Sequence, residues 1–192
     1  MPRKTTPARP DPTAPWVIDT RDLGRRPGAM RRYHRDIRLP AALGMDVVGV
    51  AAGDEVSLDV RLESVVEGVL VSGAASAPVT GQCARCLEPL VDSLEVELTE
   101  LFAYPDSATE SSTDPDEVSR VVDGLIDLEP VVRDALLLAL PQAPLCGEDC
   151  PGLCPECGGK WAELGTDHRH ETMDPRWAVL KQRLRGNDEE NE

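Results

Sequence analysis

Aromatic side chains are nearly missing from this 192-residue chain: three Trp, two Tyr and one Phe make up 3% of it. A core must therefore be built from Leu, Val and Ala, and a row of base-stacking rings is excluded. No run of about 18 apolar residues exists, so no membrane-spanning helix and no membrane partner are expected. The N-terminus has no apolar segment of the kind an export signal carries. A cytoplasmic location follows as the expectation, and in that compartment paired cysteines point to metal or redox chemistry rather than to disulfides. Histidine is scarce as well, with three in all.

What is present is 41% hydrophobic residues and a net charge of −15. At this length that is enough for one domain with its own core. The charge is uneven. Residues 1–40 carry ten Lys and Arg against four acids, a net +6, whereas residues 41–192 carry ten against thirty-one, a net −21. This describes a basic arm on an acidic body.

Residues 1–15 hold five prolines with Arg3, Lys4 and Arg9 and read as a solvated tail. Trp16-Val17-Ile18 begins the ordered domain, expected over 16–186, with a first strand. From Arg21 to Arg38 come seven arginines in eighteen residues, interrupted by Gly24, Pro27 and Gly28. The stretch reads as a basic loop. It is either an ordinary solvated surface or a phosphate-binding one, with Arg25, Arg26, Arg31, Arg32 and Arg35 as the candidate contacts, because guanidinium groups make bidentate phosphate contacts. Tyr33 could stack on a base, and His34 reads as a plain surface histidine.

Residues 46–82 have the pattern of a β-meander. In Val56-Ser-Leu58-Asp-Val60-Arg-Leu62 the apolar side chains alternate strictly, as in a half-buried strand. Val65–Ser72 forms a second strand with Gly68 as a candidate bulge. Gly73 and Pro78 punctuate a third, which runs into Cys83. Leu94-Glu-Val96-Glu-Leu98 alternates again. Residues 105–119 are acidic and rich in Ser and Thr without periodicity, which predicts a mobile loop. Ile126–Leu128 suggests a short strand. Glu129-Pro130 opens a helix over Val131–Leu140, apolar nearly all round and so expected to be buried. Asp174-Pro175 starts a second helix with Trp177, Leu180 and Leu184 on one face, and 187–192 is an acidic tail.

Six cysteines form the pattern Cys83-x₂-Cys86, then Cys146-x₃-Cys150 and Cys154-x₂-Cys157, followed by His168-x-His170. Eight such donors are enough for two closed tetrahedral zinc sites. The preferred pairing is Cys83, Cys86, Cys146 and Cys150 in one, and Cys154, Cys157, His168 and His170 in the other. A ribbon of Cys83, Cys86, Cys154 and Cys157 is the alternative, and the histidines alternatively belong to a solvated turn. A thiol oxidoreductase fits poorly, since Cys83-Ala-Arg-Cys86 has no flanking Trp or Pro. A zinc deaminase needs His-x-Glu and Pro-Cys-x-x-Cys, and here Leu153 precedes Cys154. Four-ligand sites leave no open position, so an enzyme is not expected.

Cys83-Ala-Arg-Cys86-Leu-Glu-Pro, Leu140-Pro, Cys146-x₃-Cys150-Pro-Gly-Leu-Cys154-Pro-Glu-Cys157-Gly and Asp174-Pro-Arg-Trp together resemble the YceD family of bacteria and plastids. The opening Trp16-Val-Ile-Asp-Thr-Arg-Asp-Leu-Gly is similar to its actinobacterial branch. The resemblance spans roughly residues 16–185. It implies a non-catalytic role in accumulation of large-subunit ribosomal RNA, with pre-ribosomal RNA or an early assembly particle as partner; the acidic body instead suits a basic ribosomal protein, bound by an adaptor that does not touch RNA. Relatives with Cys-x-Cys at the place of His168-x-His170 imply that both histidines are ligands. The expected fold is α+β but mainly β: an antiparallel meander or small barrel-like sheet, two helices and a cysteine-rich zinc segment.

Overall fold

The computed structural model describes residues 9–114, 117–170 and 177. The chain divides into two compact units, Met1–Glu148 and Asp149–Glu192. In the first, the order is β1 (Val17–Asp19), a 3-10 turn (Arg21–Leu23), β2 (Met30–Arg38), β3 (Leu43–Met45), β4 (Val48–Val50), β5 (Glu55–Ser64), β6 (Gly68–Gln82), β7 (Pro89–Ala103), α1 (Ala108–Ser112), β8 (Leu125–Asp127) and α2 (Glu129–Ala139). All strand pairs between these elements are antiparallel.

Strand β6 is the axis of this unit. Its full length pairs with β7, from Gly68↔Ala103 to Gln82↔Pro89. Its opposite edge pairs first with β5, from Val69↔Ser64 to Ser76↔Ser57, and then with β4 at Thr80 and Gly81. β2 extends the sheet beyond β5, and β1 pairs with β8 in a separate two-stranded ribbon. The alternation expected for β5 is realised: Val56, Leu58, Val60 and Leu62 are buried. They join Val71, Val79, Leu98 and Phe102 in one core cluster, capped by Val132 and Leu136 of α2. Each such side chain contributes roughly 1.5–3 kcal/mol by leaving water.

Several expectations are corrected. Arg31 to Arg38 is not loop but the greater part of a nine-residue strand. Its core-side residues are Tyr33, Arg35 and Ile37, and only Ile37 is apolar and fully buried, so charge on both faces hid the period of two. Residues 68–82 form one strand rather than two, and Val65 to Glu67 lie before it. Pro78 falls between the end of the β5 register and the start of the β4 register, so on that edge its missing N–H interrupts no ladder. Gly68 is no bulge but the first residue of β6, paired one-to-one with Ala103. A Cβ there would lie 2.1 Å from the Phe102 carbonyl oxygen, which is what requires glycine. Helix α2 is only half buried: Val132 and Leu136 face the core, while Leu138 is 86% exposed. The segment 105–119 contains α1, whose N-cap Ser107 Oγ accepts from the Glu110 amide at 3.1 Å. The helix expected from Asp174, with Leu180 and Leu184, lies outside the described residues except for helical Trp177.

Among its described residues the second unit is a series of turns. A bridge joins Leu153 to Lys160, and the Trp161 amide donates to the Gly152 carbonyl at 3.0 Å.

Candidate metal centres and basic face

The first knuckle sits where β6 ends and β7 begins. The Cys83 amide donates to the Glu88 carbonyl at 2.8 Å, and the Leu87 amide donates back to the Cys83 carbonyl at 2.9 Å. This tight loop turns Cys83 and Cys86 to the same side. The segment after α2 is fastened to it: the Ala84 amide donates to the Pro144 carbonyl at 2.7 Å, and Arg85 Nη1 to the Glu148 carbonyl at 3.1 Å. Cys146 is thereby delivered to Cys86, with their sulfurs 3.6 Å apart. The sulfurs of Cys83, Cys86, Cys146 and Cys150 all lie within 4.8 Å of one another.

Amide groups of Cys86 and Cys146, the largest influences, point at Cys83 and hold its thiol down from the usual 9.0 to about 6. Its thiolate is therefore the form this site favours near neutrality.

The second knuckle repeats the pattern. The Cys154 amide donates to the Gly159 carbonyl at 2.7 Å, and the Gly158 amide to the Cys154 carbonyl at 2.8 Å. Burial pushes the Cys154 thiol up, but the amides of Cys157 and Glu156 outweigh it and the net shift is down. His170 Nε2 lies 3.3 Å from Cys154 Sγ, His168 Nε2 lies 3.6 Å from Cys157 Sγ, and the two Nε2 atoms are 2.8 Å apart. These four donors also lie within 4.8 Å of each other. Trp161 packs edge-on against the His168 ring, with centroids 5.4 Å apart. Sequence reading missed Trp161, because a lone tryptophan after Gly-Gly-Lys carries no periodic signal.

All six cysteines are unbridged. A sulfur pair at 3.6 Å is far from the roughly 2.05 Å of a disulfide. Each group can hold one metal ion, and each is made only of thiol and imidazole donors.

The arginines divide by partner. Arg21 grips Asp19 through Nε and Nη2, which holds the Asp19 carboxyl down to about 2. Arg31 reaches Asp22 at 3.4 Å and Arg38 reaches Glu55 at 2.9 Å. Arg35 donates to the Pro15 carbonyl at 2.6 Å and stacks 4.9 Å over the Tyr33 ring, which occupies a face a base would need. Arg25 stacks on Tyr104. Arg26 and Arg32 make no side-chain hydrogen bond or ion pair among the described residues, and both are exposed. His34 stands on the exposed face of β2 between Asp36 and Asp59.

A mainly antiparallel sheet closed by one cysteine knuckle, followed by a second knuckle with two histidines, defines a β-protein with two candidate metal centres. The chain belongs to the YceD family, whose profile, described as large ribosomal RNA subunit accumulation protein YceD, matches residues 71–182. The uncharacterised protein Rv2926c of Mycobacterium tuberculosis is 53% identical over 172 residues, covering 89% of this chain and 82% of that one. Protein ML1660 of Mycobacterium leprae is 44% identical over 171 residues, covering 89% and 78%. YlbN of Bacillus subtilis is 28% identical over 132 residues, covering 68% and 73%. No solved structure matches the chain.

Proposed function

We propose that this protein is a zinc-stabilised, non-catalytic factor that supports accumulation of large-subunit ribosomal RNA by contacting the precursor RNA or an early particle through its N-terminal arginines. The observation that carries the reading is the pair of knuckles in a chain of this family. Zinc suits the donors: a tetrahedral ion at about 2.3 Å from sulfur and 2.0–2.1 Å from nitrogen has edges of about 3.8 Å between sulfurs and 3.5 Å between sulfur and nitrogen. The sulfur pair at 3.6 Å and the mixed pairs at 3.3 and 3.6 Å match those edges. The histidine nitrogens, at 2.8 Å, are closer than the about 3.3 Å edge and would open slightly around the ion. With all four positions filled by protein, the ion serves folding and not substrate activation.

The RNA contact is tested with purified, zinc-loaded protein and precursor ribosomal RNA. Replacing Arg25, Arg26, Arg31 and Arg32 with Ala should weaken binding and flatten its salt dependence by about 0.7–0.9 in log–log slope per lost contact. An unchanged slope, with normal ribosomal RNA levels in cells carrying the variant, would overturn it.

A second reading is favoured by one observation. Leu87 holds φ 61° and stays 59% exposed, beside acidic Glu88. A strained, exposed leucine on an acidic body suits an adaptor that grips a basic ribosomal protein without touching RNA. Loss of that partner in Leu87→Ser, with RNA binding of the purified protein absent throughout, would select this reading.

A further inference from the structure

Ser64 is fully buried at the end of β5 and fixes two things at once. Its backbone accepts from the Gly28 amide and donates to the Ala29 carbonyl, both at 2.8 Å, which clamps the end of the arginine-rich loop. Its hydroxyl meets the Tyr104 hydroxyl at 3.1 Å, which fixes the ring. The Arg25 guanidinium carbon lies 4.6 Å from the centre of that ring. Arg25 makes no hydrogen bond or ion pair among the described residues, so its N–H groups are unspent.

Two cavities meet at Arg25, Tyr104 and Pro105. One, of about 450 Å³, opens toward Thr20, Gly24, Val121 and Asp123. The other, of about 350 Å³, opens toward Pro27, Val65, Val66 and Ser107. Both volumes are in the range of small-ligand sites. Their rims hold unusual backbone: Gly24, Gly124, Asp106 and Asp123 all have φ between 52° and 77°. Nearby charges are already matched, Arg21 by Asp19 and Asp123 by Arg9 at 3.4 Å, while Asp106 lines the smaller cavity.

We propose that this saddle binds one phosphodiester of single-stranded RNA, with the phosphate on Arg25 and the flanking nucleosides in the two cavities. The inference rests on the reading of the arginine segment as an RNA contact and names where and in what form the RNA is held. The Arg25 guanidinium lies over the Tyr104 ring and keeps its N–H groups free, and a planar fork of free N–H groups is what a phosphate accepts from in bidentate fashion. A cavity on each side of a single cation suits a phosphate with a nucleoside on each side better than a terminal phosphate. Bases in a duplex are stacked and paired and cannot enter either cavity. The carboxylates of Asp106 and Asp123 can accept hydrogen bonds from base amino groups.

The test uses the full chain, zinc-loaded and ¹⁵N-labelled, with three probes: a dinucleoside monophosphate, a nucleoside 5′-monophosphate and a short RNA duplex. The dinucleotide should shift the amides of residues 20–25, 65–66 and 121–124 and bind about tenfold tighter than the mononucleotide, with the duplex leaving those amides unmoved. Arg25→Lys keeps the charge but loses the planar fork, and should bind the dinucleotide about tenfold more weakly. Arg38→Ala, whose side chain pairs with Glu55 and does not line either cavity, should change nothing. RNA binding by the whole protein that ignores Arg25→Lys and leaves these amides unshifted overturns the saddle while keeping the broader RNA reading. Dinucleotide binding here by a protein that does not bind ribosomal RNA keeps the saddle and overturns that reading. No binding of any probe or of ribosomal RNA removes both.

Discussion

Leu87 and Gly158 occupy the same place in two matching knuckles. Each follows the second cysteine of its pair, each donates its amide to the carbonyl of the first cysteine, and each has a left-handed backbone, φ 61° and 70°. Glycine adopts this conformation freely, whereas for leucine it costs about 1–2 kcal/mol. The first knuckle thus carries strain that the second avoids.

Leu87→Gly should therefore stabilise the first unit. The gain is set against the greater freedom of glycine in the unfolded chain, so a net rise of about 0.5–1 kcal/mol is expected. Thermal melts of the zinc-loaded protein check it. A loss of stability would show that the leucine side chain contributes packing that offsets its backbone.

Two zinc ions should be bound per chain. His168→Ala combined with His170→Ala should reduce the content to one, because the second cluster then has only two thiols. Elemental analysis of purified protein decides. A parent value of one, unaltered in the double variant, rules out the second centre.

Cys83→Ser and Cys157→Ser should differ in reach. Cys83 ties the β6–β7 turn to the segment after α2, some sixty residues later, as the 3.6 Å approach of Cys86 and Cys146 shows. Its loss forfeits a large share of the about 10 kcal/mol that a structural zinc supplies. Cys157 lies in a local loop closed by Gly158 and Gly159, and its loss should leave the sheet's melting nearly unchanged. Equal, small effects in both variants would contradict this.

The acidity of Cys83 predicts a pH dependence in metal-free protein. Its thiol is depressed from 9.0 to about 6 on folding. A depressed acid stabilises the fold in its ionised form, so the contribution is complete above about pH 9 and is lost as pH falls through 6. Denaturant midpoints of chelator-treated protein should rise between pH 6 and 9, and Cys83→Ser should flatten that rise. An identical slope in both proteins would assign it elsewhere.

The three cysteine pairs, each with two or three intervening residues, gave away the thiols of both clusters, and the count of eight donors added His168 and His170. The strands β5 and β7 were legible from strict alternation at Val56–Leu62 and Leu94–Leu98. β2 was not, because Arg32, His34, Asp36 and Arg38 on one face alternate with Tyr33 and Arg35 on the other, and neither set looks apolar. The saddle at Arg25 was illegible for a different reason. Tyr104 and Ser64 come from β-strand ends far along the chain, and only the sheet register brings them to the arginine loop. The exposure of Leu138 was hidden because six apolar residues in a row cannot say which side of a helix meets the sheet.

The β1–β8 ribbon has a consequence for timing. Val17 pairs with Asp127 and Asp19 with Leu125, so the strand that precedes the arginine segment finds its partner only after more than a hundred further residues have been made. At about 5–20 residues per second, that interval is several seconds to some twenty. Until then Thr20, whose amide and hydroxyl both bond the Gly124 carbonyl, has no anchor, and the larger cavity has only one wall. The arginine segment is therefore made well before Val121, Asp123 and Gly124 complete the cavity beside Arg25. At this face, charge is laid down first and shape follows.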